Sequence, residues 1–154
     1  MYSELLDSIK ALSVINKEGF YYKLSALSNI SAALMSNIDN INWVGFYFVG
    51  DDELLHLGPF QGEVACSELT KDKGVCAKAW RTKKIVVVDD VNNFEGHVVC
   101  DSKSRSELVV PLTVNDKVYG VLDVDSPTLS RFKEQEIEFF EKVGQIVSLL
   151  VPLT

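Results

Sequence analysis

ELVVPLTVNDKVYGVLDVDS, residues 107–126, decides the fold class. Two runs rich in β-branched residues, Glu107–Val114 and Lys117–Ser126, flank Asn115-Asp116, so the stretch reads as a β-hairpin. Side chains alternate across a strand. In the second run this places Val118, Gly120, Leu122 and Val124 on one face and Tyr119, Val121, Asp123 and Asp125 on the other. Two carboxylates therefore stand side by side, either as a strand end reaching solvent or as a pair waiting for a cation. Glu107 joins them only in one register. A two-residue turn at Asn115-Asp116 sets Glu107 opposite Val124, whereas a three-residue loop that includes Lys117 sets it opposite Asp125. Asn-Asp lacks the glycine that two-residue turns favour, and Pro111 signals an edge or a bulge. The expectation is the three-residue loop and a cluster of three carboxylates.

Reading outward, NWVGFYFV (42–49) alternates Val44, Phe46 and Phe48 against Trp43, Gly45 and Tyr47, and ELLHLGPF (53–60) is its hairpin partner. KIVVVDDV (84–91) is a further strand, and GVCAKAWRTKK (74–84) a short helix. Leu24, Leu27, Ile30, Leu34 and Ile38 recur at spacings of three and four, an amphipathic helical stripe within residues 1–39. SRFKEQEIEFFEKVGQIVSLLV (130–151) closes the chain as an amphipathic helix with Ser130 as its expected N-cap. Helices at both ends with antiparallel strands between them give an α+β fold. Its central antiparallel sheet carries the N- and C-terminal helices on one face and leaves a ligand pocket on the other. No repeat or linker divides residues 1–154, so a single domain is expected.

A net charge of −7, with Lys83-Lys84 as the longest basic run, argues against a nucleic-acid partner, which needs a clustered basic face. The start MYSELLDSIK is no signal peptide, and no stretch approaches the roughly 18 apolar residues that span a bilayer. A cytoplasmic location without membrane association is expected. The chain holds three cysteines and no CxxC pair, which fits neither a disulfide framework nor a four-cysteine zinc site.

Those cysteines sit in unlike surroundings. Cys100 lies in EGHVVCDSKSRSE (95–107), a polar loop that is a poor home for an inert structural thiol. Cys76, between Val75 and Ala77, reads as a buried thiol, and Cys66 follows FQGEVA near a strand end. With His97 the three form a conceivable zinc set, but spacings of 10 and 24 residues match no zinc signature. Trp43 and Tyr47 share a face around Gly45, which is either core packing or a gap between two rings for a ligand. Rings on one wall and carboxylates on another suit a small cation with an apolar part.

INWVGFYF (41–48), LGPFQGEVAC (57–66), GVCAKAW (74–80), DDVNNFEGHVVCDSKSRSELVVPL (89–112) and GVLDVDSPTLSRF (120–132) together resemble the free methionine-(R)-sulfoxide reductases, a catalytic branch of the GAF-domain fold. The resemblance runs from about Ile41 to Phe132 and includes all three cysteines. It implies that Cys100 is catalytic, that Cys66 resolves, and that Cys76 plays a lesser part in recycling. It further implies that Glu107, Asp123 and Asp125 hold and protonate the substrate while Trp43 and Tyr47 line its pocket. The implied partners are free methionine-(R)-sulfoxide and thioredoxin, with no metal or organic cofactor and with homodimerisation left open. Two other classes stay in view: a GAF-type sensor of a small ligand, and a redox-regulated binding module without turnover.

Overall fold

The hairpin at 107–126 lies at the heart of a six-stranded antiparallel sheet in the order β3-β2-β1-β6-β5-β4. The computed structural model describes residues 2–98, 100 and 102–154. Val99 and Asp101, which flank Cys100 in the polar loop, lie outside the described residues. The strands are β1 (Trp43–Val49), β2 (Leu55–Gln61), β3 (Glu68–Leu69), β4 (Val86–Val88), β5 (Ser106–Val114) and β6 (Lys117–Ser126). The helices are α1 (Tyr2–Leu12), α2 (Phe20–Asn37), α3 (Val75–Thr82) and α4 (Glu134–Val147).

The pleat sorts side chains into two cores. Val44 and Phe46 of β1, Leu108, Val110 and Leu112 of β5, and Leu122 and Val124 of β6 meet α1, α2 and α4 on one face. The helical stripe forecast from spacing supplies Leu27, Ile30 and Leu34 there, all fully buried. On the opposite face Trp43, Tyr47, Val109, Val118 and Val121 pack against Val75, Cys76, Ala79 and Trp80 of α3. The terminal helices thus share one face, and α3 covers part of the other. None of the described helices is long and apolar enough to cross a membrane.

The turn differs from the expected one, yet the carboxylates still meet. Asn115 and Asp116 both take positive φ, 51° and 66°, and Val114 pairs with Lys117, so the turn has two residues. Asparagine and aspartate tolerate the left-handed conformation better than other non-glycine residues, which makes the missing glycine bearable. The register then shifts: Thr113 faces Val118 but Leu112 faces Gly120, which leaves Tyr119 as the extra residue of a β-bulge. Beyond the bulge Glu107 faces Asp125. The bulge also reverses the parity read at the start of β6, since Val118 joins the α3 side and Tyr119 packs against the helix-backed core. Pro111 lies past the end of β4, where β5 has lost its outer neighbour.

Two other readings need correction. A Cβ on Gly45 would come within 2.3 Å of the Phe60 Cβ, so the space between Trp43 and Tyr47 is taken by the crossing of β2 and not left for a ligand. The N-cap of α4 is Lys133, whose N–H donates to the Glu136 carboxylate at 3.0 Å. Ser130 instead takes a positive φ and donates its N–H to the Asp89 carbonyl.

Gly120 sits where β6 runs closest to β1, and a Cβ there would lie 2.3 Å from the Tyr47 carbonyl oxygen. Gly120→Ala is expected to lower unfolding stability by about 1–3 kcal/mol, the usual range for overpacking. A urea titration would read this as a lower midpoint at unchanged slope. An unmoved midpoint would show that the two strands are not held this close.

Candidate functional site

Three neighbouring strands build the wall of one cavity. Trp43 of β1 faces Asp125 of β6, which faces Glu107 of β5, and in the adjacent row Gly45 faces Asp123, which faces Val109. The register set by the bulge at Tyr119 therefore leaves three acids and an indole on one side of the sheet. Trp43, Tyr47, Cys76, Cys100, Glu107, Asp123 and Asp125 line the cavity together with His97, Lys73 and Gly74. Every proposed site residue lines it except Cys66, whose neighbour Ala65 does and whose sulfur is bonded to that of Cys100.

This disulfide spans Cα atoms 5.4 Å apart and ties two loops across the cavity rim. The rings of β1 hold the Cys66 loop in place: Trp43 Nε1 donates to the Glu63 carbonyl at 3.2 Å, and the Tyr47 hydroxyl donates to the Cys66 carbonyl at 3.1 Å. On the other loop Lys103 pairs with Glu63, and the Asn42 amide donates to the Ser104 hydroxyl at 3.2 Å. Cys76 is the remaining cysteine, 5 % exposed on the first turn of α3. Its sulfur, a Glu107 oxygen and an Asp123 oxygen lie within 4.8 Å of one another.

The electrostatics follow from burial. Glu107 and Asp123 are 7 % and 6 % exposed, so ionising either one places charge in a dry space. Burial, and then the neighbouring Asp123 and Asp125, push the Glu107 carboxyl well above the usual carboxylate range. Burial also raises Asp123, but hydrogen bonds from Glu107, Cys76 and Asp125 hold the rise back. The pattern is that of a protonated Glu107 donating into its neighbours. Asp123 Oδ1 is buried with no hydrogen-bond partner among the described residues. Burial drives the Cys76 thiol upward, so it stays protonated, and the Tyr47 hydroxyl rises for the same reason.

The opposite wall is positive. The N-cap of α3 is Gly74, with φ of 97° and no side-chain cap among the described residues, and Lys73 precedes it. The first N–H groups of the helix are thus unpaired within it and carry its positive end. Sequence reading missed Lys73, Gly74 and Ser104 as lining residues, and considered His97 only as a zinc ligand. The glycine ahead of VCAKAW was the available signal. The cavity volume with the disulfide closed is about 40 Å³, room for only a few waters at roughly 10–15 Å³ each.

The GAF domain family model matches residues 24–151. A curated relative, free methionine-R-sulfoxide reductase of Saccharomyces cerevisiae, is 42% identical over 152 residues, covering 94% of this chain and 82% of the relative. The reduced-form structure of fRMsr of Staphylococcus aureus superposes with a TM-score of 0.87 at 42% identity, over 96% of this chain and 93% of that one. The structure of free methionine-R-sulfoxide reductase from Neisseria meningitidis in complex with its substrate gives a TM-score of 0.88 at 36% identity, over 96% and 86%.

The sulfur inventory can be checked directly. The oxidised native protein should give almost no reaction with a maleimide, because two sulfurs are bonded and Cys76 is buried. Denaturation without reductant should expose one thiol per chain, and reduction before denaturation three, each read as a mass increment. More than one thiol in the unreduced denatured protein would remove the disulfide.

Proposed function

The chain belongs to the free methionine-R-sulfoxide reductases of the GAF-domain family, and we propose that it reduces free methionine-(R)-sulfoxide to methionine through a thiol cycle that begins at Cys100. It is an oxidoreductase. The observation that carries the mechanism is the disulfide joining Cys66 to Cys100 at the rim of an acid-walled cavity.

In the reduced protein the Cys100 thiolate attacks the sulfoxide sulfur while a carboxylic acid gives its proton to the oxygen. An S–S bond to the substrate forms as the S–O bond breaks. The released hydroxide then attacks the Cys100 sulfur, the S–S bond breaks, methionine departs, and Cys100 is left as a sulfenic acid. Glu107 suits the acid's role because its environment keeps it protonated at a pH where an ordinary glutamate is ionised. The Cys66 thiolate then attacks the Cys100 sulfur, hydroxide leaves as water with one added proton, and the disulfide forms. A dithiol protein such as thioredoxin reopens it and is itself oxidised. Cys76, held as a thiol beside Asp123, has the lesser recycling part.

The two walls of opposite sign explain a preference for the free amino acid. The substrate ammonium lies against Asp123 and Asp125, and its carboxylate against Lys73 and the N-terminus of α3. A methionine within a polypeptide offers neither charge and brings chain on both sides. The rings of Trp43 and Tyr47 cover the apolar part of the side chain. A cavity of about 40 Å³ supports reading the disulfide form as the end state of the cycle.

NADPH consumption with thioredoxin, thioredoxin reductase and free methionine-(R)-sulfoxide tests the whole reading, with the S epimer and a methionine-sulfoxide peptide as controls. Absence of turnover on the R epimer would overturn it. Cys100→Ser should abolish turnover in a folded protein. Cys66→Ser should release about one methionine per enzyme and then stall with thioredoxin.

The acids should divide by role in their amide variants. Loss of the proton donor lowers kcat by ~10²-fold or more on the usual scale of general acid catalysis, whereas loss of an ammonium contact raises KM. Glu107→Gln is expected to be the kcat variant. The sign of its pH dependence follows from the raised pKa: the parent's kcat falls as pH rises through it, because the proton is lost, and Glu107→Gln loses that limb. Parent-like kinetics for Glu107→Gln, Asp123→Asn and Asp125→Asn alike would reduce the cluster to packing.

A further inference from the structure

The proton on Glu107 is consumed in every turnover and must be restored inside a cavity that holds little water. Within that cavity His97 sits with Nε2 4.0 Å from Glu107 Oε1. Its backbone N–H donates to the Phe94 carbonyl at 3.2 Å, which fixes the residue just after the 3₁₀ turn at Val91–Asn93. The imidazole is 14 % exposed and the Glu107 side chain 10 %, so the histidine is the outer member of the pair. We propose that His97 is a positioning residue that returns a proton to Glu107 after each sulfoxide reduction, a role that rests on the reductase reading above.

The proton count calls for such a group. Thiol plus sulfoxide gives sulfenic acid plus methionine with no net gain or loss of protons. The proton that leaves the Cys100 thiol must therefore be matched by the one that reaches the oxygen. Glu107 delivers at the oxygen, and His97, three residues from Cys100 in the chain and lining the same cavity, collects at the sulfur side. At rest the contact is not an ion pair: burial lowers His97 and raises Glu107, so both are neutral. Once Glu107 has given up its proton, a carboxylate stands beside the imidazole in a dry site and draws a proton onto it. The imidazolium then hands that proton back, and the pair returns to neutrality.

The other groups sharing the cavity favour the switch. Glu107 faces it from β5, Asp123 and Asp125 from β6, and the Cys76 thiol from α3, with Lys73 as the one cation at the mouth of that helix among the described lining residues. Any added negative charge on the acids stabilises a charged His97, and Lys73, whose Cβ lies beside Gly96 next to the histidine, opposes it.

His97→Gln tests the role, because an amide fills similar space and does not relay a proton near neutral pH. Its kcat is expected to fall about 10- to 100-fold, toward the low end of acid–base effects, with KM within about twofold of the parent. Added imidazole should restore part of the lost rate, and the shape of the kcat–pH profile should change. Unchanged kcat and profile, or a loss that imidazole does not rescue with the profile intact, would overturn the proposal. His97→Asn serves if the glutamine variant fails to fold. A measurement without turnover separates this from failure of the reductase reading: the His97 ring is titrated by NMR in the oxidised protein, with and without Glu107→Gln. The proposal requires the ring resonances to show a second inflection where Glu107 loses its proton, absent in Glu107→Gln, and a ring that does not sense that ionisation would sink it even in an active enzyme.

Discussion

Three carboxyl groups on one face of two adjacent central strands cannot all be charged in the same dry cavity. Two unit charges about 5 Å apart repel by roughly 3 kcal/mol at the effective dielectric of a protein site, before the cost of desolvating each is counted. The neighbouring parts are arranged around that constraint. Burial and the neighbouring acids keep a proton on Glu107, hydrogen bonding holds back the rise of Asp123, and burial keeps the Cys76 thiol neutral beside them. The sheet tolerates this because its other face is secured by the helix-backed core. The strain of buried acids is thereby kept away from the interactions that hold the fold together.

How much of this was readable from residues alone depended on whether the deciding force was local. The α2 stripe and the alternation at Trp43–Val49 follow from a pleat or a helical period, so they appear in the sequence as they stand in the fold. The register at Glu107 is different. The correct pairing with Asp125 was reached through a wrong turn, because a two-residue turn and a bulge at Tyr119 have the same net effect as a three-residue loop. Period-two reading has no marker for an extra residue in mid-strand. Gly45 and Ser130 were misread for a related reason: the chain that crosses Gly45 and the carbonyl that engages Ser130 are both remote in sequence.

The site residues divide the same way. The acids and rings were legible because strands order their side chains by parity. The disulfide was legible only through likeness to known reductases, since spacing says nothing of which sulfurs meet. Lys73 and His97 carried no local pattern at all. They reach the cavity because the segments before α3 and after the 3₁₀ turn converge over the sheet, which is a property of the tertiary path.

The two kinds of chemistry in the cavity also stand on different supports. The acids belong to hydrogen-bonded strands, while both bonded sulfurs belong to connecting segments between Gln61 and Glu68 and between Asn93 and Ser106. The acid wall is thus built into the foundations, and the bonded sulfurs into the roof. A sibling chain with the same strands and different connections would keep the acid wall and lose the sulfur pair. On this scaffold the acid wall and the sulfur pair can change independently, because paired strands carry the one and loops the other.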